Sequence, residues 1–218
     1  MRPFKPLVRK RPLPPRGDRR SRTVGLLGGS FNPAHQGHRF VSLQAIKSLG
    51  LDEVWWLVSP QNPLKDKHRM LDLDERVRRA RAIVRHPRIR VTDIERCLGT
   101  RFTADTLDAL KRRFPKIRFV WLMGADNLLQ IPQWDRWEQI FEAVPVVVFD
   151  RKPYTYQALA SRAAQRFQHR RKTGARLRGL GRAKPPAWVF LFYRRHPASA
   201  TAIRQKSGLD KFLEKRNK

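Results

Sequence analysis

His35 and His38 stand three residues apart inside Gly28-Gly29-Ser30-Phe31-Asn32-Pro33-Ala34-His35-Gln36-Gly37-His38. At a helix entrance that spacing lets both imidazoles face one ligand. An apolar run, Thr23 to Leu27, comes before the stretch, and an amphipathic segment begins near Arg39. Strand, glycine turn and helix in that order turn backbone N–H groups and a helix N-terminus toward an anion, phosphate above all. Gly28 and Gly29 let backbone approach a ligand where a Cβ would obstruct it. A metal pair is the competing chemistry. No third ligand of suitable type lies nearby in sequence, however, and Asn32-Pro33 suits a tight loop better than a coordination shell. Incidental histidines after a buried strand are the plainer alternative. The joint arrival of glycines, turn residues and both histidines at one strand-to-helix junction favours the anion site.

A second candidate cradle lies late in the chain, His196-Pro197-Ala198-Ser199-Ala200-Thr201-Ala202-Ile203-Arg204. Ser199 and Thr201 at a helix start can cap N–H groups or donate to phosphate, and Arg204 supplies a forked cation. Alone this is a common structural helix cap. Beside the glycine–histidine loop it gains weight.

The elements that must position these groups follow from periodicity. After the first strand, a helix over about 37–49 carries the apolar stripe Phe40, Leu43, Ile46 and Leu49, with Gly50 as its stop. A strand over 53–59 leads into the loop 60–65. A helix over about 73–85 shows Leu73, Val77, Ala80 and Val84 on one face and points its arginines to water. A strand over 89–94 follows, then a helix over 104–113 with Thr103 as N-cap. Ile117 to Met123 is apolar throughout, as a doubly covered strand requires. Gly124-Ala125-Asp126 opens a helical stretch carrying Trp134 and Trp137. Val144 to Phe149 is a strand, 155–168 a basic helix, 170–186 an exposed mobile loop, and Trp188 to Tyr193 the last strand. Strands alternating with helices predict an α/β domain with a mainly parallel sheet covered on both faces. Ligands bind beyond the carboxyl ends of such strands. The loops 28–38, 60–65, 99–106 and 124–137 would converge on that rim.

Length and charge bound the rest. The 218 residues suit one domain with a tail, and no apolar run approaches the roughly 18 residues that a membrane crossing needs. Cys97 is the lone cysteine, read as a half-buried apolar filler, and suits a reducing, cytoplasmic setting. The formal net charge is +30, of which residues 1–22 and 151–185 supply 19. Such a field draws polyanions, whether nucleic acid or nucleotide substrate, and does not choose between them. Residues 1–22 read as a disordered basic arm, leaving 23–218 as the domain. Its arginines also suit an organelle transit peptide, but Pro3, Pro6, Pro12, Pro14 and Pro15 would break the amphipathic helix such peptides use.

The first stretch closely resembles the signature Gly-Gly-(Ser/Thr)-Phe-(Asp/Asn)-Pro-x-His-x-Gly-His of the nucleotidyltransferase superfamily. Ser30, Phe31, Asn32, Pro33, His35, Gly37 and His38 all fit. The second cradle resembles that superfamily's Ser-(Ser/Thr)-Thr-x-(Ile/Leu)-Arg turn through Ser199, Thr201, Ile203 and Arg204. It departs at Ala200, where a hydroxyl is frequent. Three further stretches resemble bacterial nicotinate-nucleotide adenylyltransferases: SPQNPLK at 59–65, FTADTLDAL at 102–110 and GADNLLQIPQWDRW at 124–137. The resemblance runs from about residue 23 to 216 and is loosest over 150–186.

The resemblance implies a doubly wound, Rossmann-like nucleotidyltransferase fold in a single domain. It implies transfer of AMP from ATP to nicotinate mononucleotide, releasing pyrophosphate, without a covalent intermediate. His35, His38 and Arg204 would be catalytic. ATP would meet Gly28, Gly29, Ser30, Phe31, both histidines, Asp126, Ser199, Thr201 and Arg204. Asp126 would take the ribose, or else serve as a helix N-cap. The acceptor would meet Asn32, Lys65, Thr103 and Trp134, its ring stacked on the indole and its carboxylate at Thr103 and nearby N–H groups. Core packing is the alternative for Trp134 and the favoured reading for Trp137. Mg²⁺ would arrive on the ATP phosphates, with no metal ligand from the chain. Phosphopantetheine adenylyltransferases and cytidylyltransferases share the histidine loop but not the tryptophan block. Class I aminoacyl-tRNA synthetases share a paired-histidine loop but need an anticodon-binding domain for which there is no room. A basic nucleic-acid-binding module with a vestigial site is the reading from another class.

Overall fold

The computed structural model describes residues 20–60 and 70–193. Lys65, Ser199, Thr201 and Arg204 lie outside the described residues, as does nearly all of the basic arm. Among the described residues six strands form one parallel sheet: β1 (Arg22–Gly29), β2 (Glu53–Val58), β3 (Ile89–Thr92), β4 (Ile117–Gly124), β5 (Val146–Phe149) and β6 (Trp188–Leu191). Their order is β3-β2-β1-β4-β5-β6, every neighbour pair parallel. The direction of winding reverses between β1 and β4, where a doubly wound sheet opens a crevice for ligand. The expected α/β fold is the observed one.

Both sheet faces are buried, which is why the strands carry unbroken apolar runs. One face packs α1 (Gln36–Leu49), α2 (Leu73–Ile83) and the segment 174–182 onto Leu27, Val54, Trp56, Val58, Val120, Leu122 and Val147. The other packs α3 (Ile94–Leu98), α4 (Thr103–Arg113), α5 (Ala125–Gln130), α6 (Trp137–Ala143), α7 (Thr155–Leu159) and α8 (Arg162–Arg166) onto Trp55, Phe119, Trp121, Val146 and Trp188. At the amino ends of the strands Glu53 is gripped by Arg22 and Arg90 and accepts from the Trp55 indole. That end is closed by side chains; in doubly wound sheets ligands bind at the opposite, carboxyl ends. No helix among the described residues is long and apolar enough to cross a membrane.

Local departures from the sequence reading each have a cause. β1 runs through Gly28 and Gly29, which pair with Leu57 and Val58, so the two glycines are strand and the turn begins at Ser30. A Cβ at Gly28 would stand 2.5 Å from the Trp121 indole on β4. Room for that ring is what the position needs, more than room for a ligand. The buried face of α1 is Ser42, Ala45, Ile46 and Leu49, rotated from the expected stripe because Trp56 donates its Nε1–H to Ser42 Oγ at 2.7 Å. Gly50 ends that helix at φ +66 as expected.

The residues expected as one helix over 155–168 are split, since Ser161 caps α8 by accepting from the Ala164 N–H. The expected loop 170–186 contains a 3-10 stretch, Gly174–Arg182, whose Leu180 is buried against the sheet and which packs on α1. Trp137 is core, as favoured, whereas Cys97 is exposed. Helix α3 was absent from the sequence reading.

Candidate active site

The turn Ser30–His35 leaves β1 at the reversal of winding and delivers both histidines to the start of α1. Phe31 takes φ +47, a region costly for a side chain, and buries its ring against Trp56 (5.0 Å, stacked) and beside His38 (4.8 Å). His35 is the N-cap residue. Its Nδ1 accepts the Gly37 N–H at 3.1 Å, and its own N–H donates to His38 Nδ1 at 3.2 Å. This is a capping box built from two imidazoles. A ring nitrogen that accepts carries no proton, so each histidine holds its proton on Nε2. The rings lie 3.9 Å apart between centroids. The pair thus stands ring against ring with each imidazole's proton on Nε2. At this helix entrance the Gly37 amide is committed to orienting an imidazole.

A side chain that the sequence reading assigned to water braces this turn. Arg76 of α2 is 2% exposed. Its guanidinium donates to the carbonyls of Ser30 (2.8 Å), Ser59 (2.7 Å), Pro60 (2.9 Å) and Leu71 (2.8 Å). It joins the exits of β1 and β2. Burial lowers its pKa, partly opposed by Asp72, but a guanidinium stays charged. Asn32 adds a second brace, its Oδ1 accepting the Leu71 N–H at 3.3 Å.

Across the reversal point lies Asp126, in the first turn of α5. It is not the N-cap, which is Gly124. Its Oδ2 accepts from Arg151 at 2.8 Å, while the buried Oδ1 has no hydrogen-bond partner. Thr103 is the first residue of α4 and Phe102 its N-cap, so the expected threonine cap is corrected. Trp134, half-buried, packs on the core edge after the 3-10 turn Ile131–Gln133. The turn that carries Trp134 is tied to the first turn of α4 by Arg136, which reaches both Asp105 oxygens at 2.8 and 2.9 Å. Both groups of that pair are partly exposed, so its energetic weight is small and its effect is one of register.

Glu95 is the second group the sequence reading missed. It is 7% exposed. Burial pushes its carboxyl up to about 7, with hydrogen bonding from Thr106 and Ser59 offsetting part of the rise. A lone acidic residue in a five-residue helix gives no periodic signal. Its flanking threonines, Thr100 and Thr106, were the available clue.

The described residues contain no group of three or more His, Cys, Asp or Glu side chains able to hold a metal. Two imidazoles that keep their ring protons on Nε2 suit an acceptor oxygen rather than a cation.

The chain matches the cytidylyltransferase-like family over residues 26–206. It is 51% identical over 185 residues to the probable nicotinate-nucleotide adenylyltransferase of Parvibaculum lavamentivorans, covering 85% of this chain and 92% of that one. The probable nicotinate-nucleotide adenylyltransferase of Cereibacter sphaeroides (strain ATCC 17025) is 54% identical over 181 residues, 83% of this chain and 96% of that one. Among solved structures, Plasmodium falciparum nicotinic acid mononucleotide adenylyltransferase complexed with NaAD shares the fold. Its TM-score is 0.61 at 17% identity, with 84% of this chain and 83% of that chain covered.

Proposed function

Because this chain belongs to the nicotinate-nucleotide adenylyltransferase family, a branch of the nucleotidyltransferases that serves NAD biosynthesis, we propose a division of labour among its residues for moving AMP from ATP to nicotinate mononucleotide. The acceptor's phosphate is itself the nucleophile, so no side chain has to form a covalent bond. Catalysis then consists of holding two polyanions in line and stabilising charge on the α-phosphate and the departing pyrophosphate. His35 and His38 do this at the α-phosphate through their Nε2–H groups. The observation that carries the reading is that both Nδ1 atoms accept backbone N–H groups, fixing both rings as donors.

Gly28, Gly29, Ser30 and Phe31 shape the ATP side through backbone, since the Phe31 ring is committed to Trp56. The Asp126 oxygen without a protein partner takes a ribose hydroxyl. Ser199, Thr201 and Arg204 hold the β- and γ-phosphates. On the other sheet face, Trp134 stacks the nicotinate ring, and Thr103 with the first α4 amides receives its carboxylate. Lys65 and Asn32 complete the acceptor side, Asn32 by anchoring the loop at Leu71. Mg²⁺ would arrive on the ATP phosphates and screen their charge, which suits neutral imidazole donors at the α-phosphate. The protein works in the cytoplasm.

Pyrophosphate release from ATP tests the activity when nicotinate mononucleotide, nicotinamide mononucleotide and phosphopantetheine are offered in turn. Turnover should be highest with the nicotinate compound; preference for phosphopantetheine would overturn the reading. In the same assay Trp134→Ala should chiefly raise the KM for the acceptor, by about tenfold, with the KM for ATP little changed.

The basic arm and the 151–185 run are proposed to hold nucleic acid non-specifically. Deleting residues 1–20 should weaken retention on heparin or RNA and spare turnover. A collapse of turnover would make the arm part of the site.

A further inference from the structure

Glu95 is a buried carboxyl at the ligand-binding rim, and none of the roles above uses it. Its main chain and its side chain grip the two ends of one turn. The Glu95 carbonyl accepts the Thr100 N–H at 3.1 Å. Its Oε1 lies 3.3 Å from Thr106 Oγ1. That hydroxyl is also 2.9 Å from Thr100 Oγ1 and 3.1 Å from the carbonyl of Phe102, the N-cap residue of α4.

A threonine hydroxyl has one proton, so Thr106 cannot donate both to Phe102 and to Glu95. The count still closes: the Phe102 carbonyl already accepts the Thr106 N–H at 3.0 Å, so the Thr106 hydroxyl donates to Glu95 and accepts in turn from Thr100. Ser59 is the other side chain bonded to this carboxyl. The second oxygen, Oε2, has no partner. An apolar side chain could fill the same place without leaving a buried polar atom unsatisfied. Packing alone therefore does not account for a glutamate here.

We infer that Glu95 is a positioning residue for the acceptor side of the site: acting through Thr106, it fixes the first turn of α4 and with it Thr103 and the helix amides. The inference rests on the acceptor reading given above. The turn is held from its other flank by Arg136 on Asp105, so Glu95 supplies the buried half of a two-sided grip.

The test is steady-state kinetics on the full chain, varying each substrate at saturating levels of the other. Glu95→Leu should raise the KM for nicotinate mononucleotide about tenfold, with kcat and the KM for ATP within about threefold. Glu95→Gln, whose amide oxygen can still accept from Thr106, should restore acceptor KM to within about threefold of wild type. Thr106→Val should reproduce the Glu95→Leu effect, and it decides the matter if the leucine variant does not fold. The inference is overturned if acceptor KM is unchanged in the Leu and Val variants. It is equally overturned if both substrates' KM values rise together, or if Gln is as damaging as Leu. Trp134→Ala serves as the control for the underlying reading. If Trp134→Ala raises acceptor KM and Glu95→Leu does not, only the Glu95 role fails; if neither does, the acceptor assignment itself is wrong.

Discussion

Replacing His38 with alanine should lower kcat by about a hundredfold or more while the KM for ATP changes little. A hundredfold corresponds to about 2.7 kcal/mol of transition-state stabilisation. The substitution also removes a cap, since His38 Nδ1 accepts the His35 N–H, but a lost helix cap costs only about 1 kcal/mol of stability. That cost falls on folding, not on the chemical step. Urea unfolding of the variant separates the two: a small shift in midpoint beside a large loss of turnover assigns the effect to the Nε2–H donor. Turnover within about threefold of wild type would remove His38 from the centre of the mechanism.

Arg76→Met should destabilise the protein by about 3 kcal/mol or more, the largest stability effect expected at any residue near the site. The methionine fills much of the same volume but leaves the carbonyls of Ser30, Ser59, Pro60 and Leu71 without their donors. For a chain of this length, that loss lowers Tm by roughly 6–12 °C. Turnover of the folded fraction should fall as well, because the Ser30 carbonyl that Arg76 holds begins the turn leading to His35. Arg76→Lys should recover little, since one ammonium cannot reach four carbonyls spread over two strand exits. Thermal unfolding checks this, and a Tm within about 2 °C of wild type would show that water replaces the guanidinium without penalty.

What could be read from the sequence follows the length of each signal. The strands were legible because both sheet faces are covered, which forces continuous apolar runs such as Ile117 to Met123. The first helix ended where Gly50 said it should. Short elements were not legible: α3 has five residues, too few for a 3.6-residue period to show. Arg76 was misassigned because pattern reasoning sends arginine to water. Nothing local announces four carbonyls waiting at the ends of β1 and β2. The segment 174–182 was misjudged through its glycines and charges, although Leu177 and Leu180 carried the apolar signal that buries it. At the site, the histidine pair and its junction were legible from spacing. The direction of its hydrogen bonds was not, since that depends on where the Gly37 and His35 amides point once the helix is capped.

The closeness of Gly28 to the Trp121 ring couples two positions far apart in the chain. Neither can change freely by drift: a methyl at 28 is tolerated only alongside a smaller ring at 121, and a smaller ring alone leaves a void under the strand that launches the catalytic turn. The two positions are therefore coupled sterically. Shuffling β1 or β4 between relatives should yield working chimeras only where glycine stands at 28 or a smaller side chain at 121 makes room for a Cβ.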